Sequence, residues 1–188
     1  GCTLTASLAY LILKQQDAVG LVTFSNQIEA FIPPKAKRGY LIEILHALEN
    51  RGAAGETNVG KILEEIAGQL KRRGMVILVS DLLDEPEAIL KGLRLFRFKG
   101  NDVIVFHILD RAELELPFDG NILFEDLEAA NLKVIADPRA IRKTYRDVVE
   151  EFIGHVRKEC HDNSIDYQLL STDTPLDKAL ASYLSWRG

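Results

Sequence analysis

The chain has 188 residues, 47% apolar and 27% charged, which is ordinary for a globular protein and enough for one domain with a substantial core. Its 28 acidic and 23 basic residues leave a net charge of −5, which argues against a nucleic-acid partner. Cys2 and Cys160 are the two cysteines, far apart and outside any CxxC, so a disulfide framework and a structural zinc site are both disfavoured. No apolar run has the length of a transmembrane helix and no signal peptide is visible, so a reducing cytoplasmic setting is expected, with any membrane anchor of a longer parent left open.

Residues 3–16 place Leu4, Leu8, Leu11 and Ile12 on one helical face, so the chain begins inside a helix with no strand before it, and Asp17 closes that helix. Residues 19–24 read as a buried strand. After Ser25-Asn26, the alternation of Ile28, Ala30 and Ile32 predicts a short antiparallel partner at a sheet edge, ended by Pro33-Pro34. Helical spacing returns over 39–50 with Leu41, Ile44, Leu45 and Leu48. After a glycine-containing loop at 51–58 it returns again with Val59, Ile62, Leu63, Ile66 and Leu70. The basic clusters Lys35-Ala36-Lys37-Arg38 and Lys71-Arg72-Arg73 lack interleaved aromatics and read as solvated or dipole-compensating.

Gly74 stops the second helix, and Met75-Val76-Ile77-Leu78-Val79-Ser80-Asp81 follows as an apolar run ending on a carboxylate, the pattern of a strand buried on both faces. Asp84, Pro86 and Glu87 predict a capped helix start, with Ile89, Leu93 and Phe96 inward and an end near Gly100. Residues 103–110 form another buried strand that ends on Asp110. Segments 122–127 and 132–136 flank a turn at Ala130-Asn131 and predict an inserted antiparallel hairpin. Pro138 opens the longest helix, through about Cys160, with Ile141, Tyr145, Val148, Phe152 and Val156 inward. Ile165, Tyr167 and Leu169 alternate as a last strand, and Asp173 or Thr174 caps a helix over 175–186. Helices alternating with buried strands predict an α/β fold, a three-layer α/β/α Rossmann-like arrangement with a mostly parallel sheet.

Two loops stand where such a fold binds ligands: Gly55-Glu56-Thr57-Asn58 and Ser80-Asp81. Their hydroxyls and carboxylate are hard oxygen donors that suit a magnesium-like ion, so Thr57 and Asp81 are the candidate metal ligands. Thr57 reads equally as a helix N-cap. Asp81 has less need of that role, since Asp84 stands ready to cap three residues later. Nucleophilic catalysis finds little support. Cys160 reads as a small hydrophobe, His46, His155 and His161 as exposed or boundary helix residues, and His107 as a satisfied core or strand-edge histidine. No GxGxxG or GxxxxGK[ST] phosphate loop occurs, and no enzyme is expected.

These segments together resemble a known family. Residues 8–11 and 16–24, Gly55-Glu56-Thr57-Asn58 and Val76-Ile77-Leu78-Val79-Ser80-Asp81 are similar to a von Willebrand factor A-like domain. Leu123-Phe124-Glu125-Asp126-Leu127-Glu128, Tyr145 and Asp173-Thr174-Pro175-Leu176 resemble, more narrowly, the bacterial domain-of-unknown-function family fifty-eight. The resemblance spans nearly the whole chain, as one domain over 1–188. It implies a metal-ion-dependent adhesion site holding Mg²⁺ (or Mn²⁺ or Ca²⁺), with Thr57 and Asp81 as ligands and a partner's carboxylate completing the shell. It also implies a role beside a MoxR-type AAA+ ATPase in protein assembly or remodelling. A Rossmann-like nucleotide- or small-molecule-binding enzyme, and a structural domain with vestigial metal loops, are the alternatives.

The Asp-x-Ser-x-Ser motif that the family carries on its first strand is absent from the chain. The expectation is therefore a domain without that strand, with a gap between strand 19–24 and strand 75–80. Mg²⁺ should bind this chain weakly or not at all; calorimetric titration returning micromolar affinity would refute this.

Overall fold

The computed structural model describes residues 1–25, 27–37, 39–49, 59–120, 122–125, 133–175 and 178. In chain order the elements are α1 (Cys2–Lys14), β1 (Val19–Phe24), β2 (Ile28–Lys35), α2 (Tyr40–Glu49), α3 (Val59–Gln69), β3 (Met75–Ser80) and α4 (Pro86–Phe98). They continue with β4 (Asp102–Leu109), α5 (Arg111–Glu115), β5 (Ile122–Glu125), β6 (Lys133–Ala136), α6 (Pro138–Asp162) and β7 (Asp166–Ser171). The helix expected over 175–186 falls almost wholly outside the described residues, as does the Ala130-Asn131 turn.

Strands β3, β4 and β7 form a parallel sheet in that order, with Leu78 opposite Val105 and Val105 opposite Tyr167. Period-two alternation divides its side chains between two layers. On one face Ile77, Val79, Ile104, Phe106, Ile108 and Leu170 pack under Leu4 and Leu8 of α1. On the other, Leu78, Val103 and Val105 join Ile62 and Leu63 of α3, Leu90 and Leu93 of α4, and Val156 and Cys160 of α6. Helices on both faces of a parallel sheet make the α/β Rossmann-like architecture.

The antiparallel pair β1–β2 extends these layers without a ladder to β3; the described strands pair in three separate groups, with β5–β6 the expected hairpin. Val19, Leu21 and Ile32 face α1 and α2, while Val22, Phe24 and Ile28 face the cluster around α3 and α4. Pro33-Pro34 does not end β2, which runs on to Lys35. A bulge lets it do so: Leu21 pairs with Ile32 but Val19 pairs with Lys35, so two steps on β1 oppose three on β2. Gly20 sits against that bulge, where a Cβ would stand 2.6 Å from the Ile32 carbonyl oxygen.

Three helices hand the chain to strands by the same device. Gln16, Gly100 and Ser164 have positive φ, and the next amide reaches back to a carbonyl five residues earlier: Asp17 to Ile12, Asn101 to Phe96 and Ile165 to Cys160. This is the Schellman ending, in which a left-handed residue satisfies the last carbonyls and turns the chain out of the helix. Only Gly100 among the three is the residue type that adopts this conformation without cost.

Some inward assignments are corrected. Leu11 and Leu45 are exposed; Leu4 and Ile44 are buried as expected, and α1 and α2 also bury Ala9, Leu13 and Tyr40. Ile141 and Val148, expected inward on α6, are 43% and 60% exposed. Twenty-five residues of helix run about 37 Å, well past strands of six to eight residues, so only the C-terminal half of α6 overlies the sheet. The N-terminal half is held by polar contacts, Tyr145 Oη donating to the Glu113 carbonyl (2.7 Å) and Arg142 to those of Leu116 (3.0 Å) and Phe118 (2.7 Å). Those carbonyls come from the α5 region, a short helix not expected from periodicity although Asp110 and Glu113 form a full capping box around its start.

Helices α3 and α4 meet at backbone distance. A Cβ on Gly60 would lie 2.6 Å from Ala88 Cβ, and one on Gly92 would lie 2.6 Å from Leu63 Cβ. Neither approach can widen without lifting α3 or α4 off the sheet. Gly60→Ala and Gly92→Ala are each expected to destabilise the fold by about 1–3 kcal/mol despite Ala's better helix propensity, as overpacking does. Urea unfolding of the two variants checks this; a stability gain would show the contact to be adjustable.

Candidate functional site

The run from Val76 to Ser80 is partly or fully buried, and the chain emerges at Asp81, which is solvent-exposed at the carboxyl end of β3. That strand is the edge of the three-stranded sheet, with β4 at its centre. The loop after it has a defined geometry. Ser80 Oγ accepts from the Leu82 amide at 3.1 Å, and Asp81 Oδ1 accepts from the Leu83 amide at 3.3 Å. Ser80 Oγ and Asp81 Oδ1 stand 3.5 Å apart. Leu82 has φ 56°, a left-handed conformation rare for a branched side chain, yet it is fully buried in the core shared by α3 and α4. Burial of Leu82 offsets the backbone strain and sets where Asp81 leaves the sheet. Leu83, next along, is 64% exposed.

Asp84 does not cap its own helix. The N-cap of α4 is Glu85, which makes no side-chain cap bond. Asp84 Oδ2 instead accepts from the amide of Val59, the first residue of α3, at 2.6 Å, while Oδ1 accepts from the Glu85 amide at 2.6 Å. A local reading assigns a carboxylate to the nearest helix start; the tertiary packing of α3 beside α4 brings a second orphan amide within reach. Thr57 lies outside the described residues.

Beneath Asp81 lies a polar pair that the sequence pattern did not connect to it. His107 of β4 is fully buried, opposite Ser80 in the ladder. Its Nε2 is 2.8 Å from the Asp81 carbonyl and its Nδ1 is 2.6 Å from Tyr167 Oη. A carbonyl only accepts, so Nε2 carries the proton, and in the neutral ring Nδ1 accepts from the tyrosine hydroxyl. Burial holds the His107 pKa below its ordinary value, the Asp81 carbonyl and carboxylate opposing this more weakly. Burial likewise raises Tyr167. Phe152 of α6 meets the His107 ring edge-on with centroids 5.9 Å apart, closing the pair from water. The link was readable only as the shared face of residues 105, 107 and 167 once the strand order was known.

Cys160 is fully buried and its thiol is pushed up to about 12 by burial, with Glu159 adding to the rise. His46, His155 and His161 stand near the carboxylates of Glu49, Glu87 and Asp162 on the surface. Among the described residues no group of three His, Cys, Asp or Glu side chains is placed to hold a metal. The described donors at the loop, one carboxylate and one hydroxyl, fit a hydrated ion such as Mg²⁺ that needs one or two carboxylates, and do not fit a closed all-protein cage.

Because folding lowers the His107 pKa, the unfolded chain binds the proton more readily. The stability contributed by the neutral ring is complete above its ordinary value of about 6.5 and is lost as pH falls below it. The melting temperature should therefore fall more steeply below pH 6.5 in the unsubstituted protein than in His107→Gln, and parallel curves would contradict this. Tyr167→Phe, which orphans Nδ1, should cost about 1–3 kcal/mol.

Comparison with known proteins adds the lineage. No curated protein matches the chain. In fold it is similar to the conserved hypothetical protein BatB from Bacteroides thetaiotaomicron, with TM-score 0.58 and 12% identity over 99% of this chain and 86% of that one. It is also similar to an aerotolerance-related membrane protein from Bacteroides fragilis NCTC 9343, with TM-score 0.57 and 12% identity over 97% of this chain and 86% of that one. The family described as protein of unknown function DUF58 matches residues 2–152, and the chain belongs to that family.

Proposed function

We propose that this is a non-catalytic protein-interaction domain of the von Willebrand factor A-like kind. In the intact protein it grips an acidic group of a partner through a divalent cation, Mg²⁺ or else Mn²⁺ or Ca²⁺, held by Asp81 and Thr57. The partner is a MoxR-type AAA+ ATPase or a protein that such an ATPase remodels, and the setting is cytoplasmic, whether or not the parent carries a membrane anchor.

The observation that carries this reading is the bond from the Val59 amide to Asp84 Oδ2. It ties the start of α3 to the loop that presents Asp81, three residues before Asp84. Thr57 is two residues before Val59 in the chain. A carboxylate and a hydroxyl are the hard oxygen donors that a hydrated divalent cation takes. Asp81 is exposed, on a loop whose backbone Leu82 pins into the core, and so is within reach of a partner. The ion would supply charge that holds an incoming carboxylate, and the chain's own residues would set its position.

In the intact protein, Asp81→Ala and Thr57→Ala should each weaken Mg²⁺-dependent binding of the MoxR-type ATPase by about ten- to a hundredfold, as loss of a ligand or its support does. In Asp81→Ala the melting temperature should change little, because Asp81 is exposed. Calorimetry with and without EDTA is the measurement. Binding that ignores both EDTA and the substitutions would overturn the proposal.

A further inference from the structure

We infer that His107 is a positioning residue for Asp81, a buried clamp that sets the direction in which the carboxylate loop leaves the sheet. The inference deepens the divalent-cation reading of Asp81 and rests on it.

Strand β4 has no need of a histidine for packing. The neighbours that share its face, Val103, Val105 and Leu109, are apolar and almost fully buried. An imidazole in that company costs free energy unless both nitrogens are hydrogen-bonded. Both are, and one of the partners is the first carbonyl beyond the β3–β4 ladder, which ends at the pair Ser80 and His107. The Asp81 carbonyl has left the ladder and would otherwise lie over an apolar strand end.

The donor is fixed in kind as well as in place. Tyr167 Oη, giving its proton to Nδ1, keeps the Nε2 proton facing Asp81. Phe152 and Tyr167 both meet the ring edge-on, at 5.9 and 5.8 Å between centroids, so the ring is held against rotation. Directly after the clamped carbonyl, Leu82 takes its left-handed turn into the core. The Asp81 peptide is thus gripped from below by His107 and on its C-terminal side by Leu82. Its carboxylate faces outward with only the local contacts to Ser80 and Leu83. Such support behind a ligand typically governs metal affinity by ten- to a hundredfold.

The test uses the intact protein with Mn²⁺ alone as probe and reads paramagnetic broadening of the amides of residues 80–83, which registers even weak binding, together with amide exchange at Leu82 and Leu83 without metal. In His107→Leu the Mn²⁺ midpoint should rise about tenfold and exchange at both amides should accelerate. His107→Gln, which can still donate to the carbonyl, should recover most of both effects. Tyr167→Phe should show a smaller loss and serves as the informative variant should His107→Leu not fold. If Mn²⁺ leaves residues 80–83 unbroadened in the unsubstituted protein, the inference falls together with the cation reading. If Mn²⁺ broadens them but the folded variants match the unsubstituted protein in midpoint and exchange, the inference alone falls.

Discussion

Strand β4 is hydrogen-bonded to β3 on one side and β7 on the other, and helices cover both of its faces. From Val103 to His107 no residue is more than 2% exposed. Each fully buried aliphatic or aromatic side chain of this kind contributes on the order of 1.5–3 kcal/mol, so the strand concentrates much of the driving force in a few residues. Everything described at the candidate site is placed relative to it. Leu78 packs on the α3–α4 side because it stands opposite Val105, and Asp81 emerges where it does because Ser80 stands opposite His107. The buried histidine is consequently one point, beside Leu82, at which the core touches the loop.

The helix pair α3–α4 forms the second constraint, and it is coupled to the first. Gly60 and Gly92 permit a crossing so close that the amide start of α3 falls beside the loop before α4. Asp84 answers that amide, and Leu82 fills the space between the same helices and the sheet. A loop that carries an exposed carboxylate is therefore built from buried parts: a left-handed leucine, a cross-helix cap and a carbonyl bound from beneath. A loop assembled in this way rests on a packed base, as the proposed ligand role of Asp81 requires.

Much of the architecture was legible in local pattern. The alternation of buried runs with helical periodicities predicted the α/β class, the parallel strands, the antiparallel β1–β2 pair and the inserted hairpin, because apolar spacing reports directly on which faces meet the core. The pattern failed where a residue's neighbours are remote in sequence. Pro33-Pro34 read as a strand end, since no local signal announces a bulge opposite Gly20. Ile141 and Val148 read as inward, since periodicity marks a face of α6 without saying where the sheet beneath it stops. Asp84 read as the cap of its own helix, since the competing amide of Val59 is twenty-five residues away along the chain.

What the residues alone determined was the kind of chemistry on offer: a strand that ends on a carboxylate, a threonine just ahead of a helical periodicity, and no GxGxxG or GxxxxGK[ST] sequence. These are properties of residue type and spacing, and they survive any detail of packing. What only the tertiary structure decided was how Asp81 is held. The His107 and Tyr167 side chains are sixty residues apart, yet they meet because parallel strands β4 and β7 pair in one register and not another. A one-residue slip would turn either side chain to the opposite face of the sheet. Register is a property of the assembled sheet, and so the support beneath the site exists only in the fold.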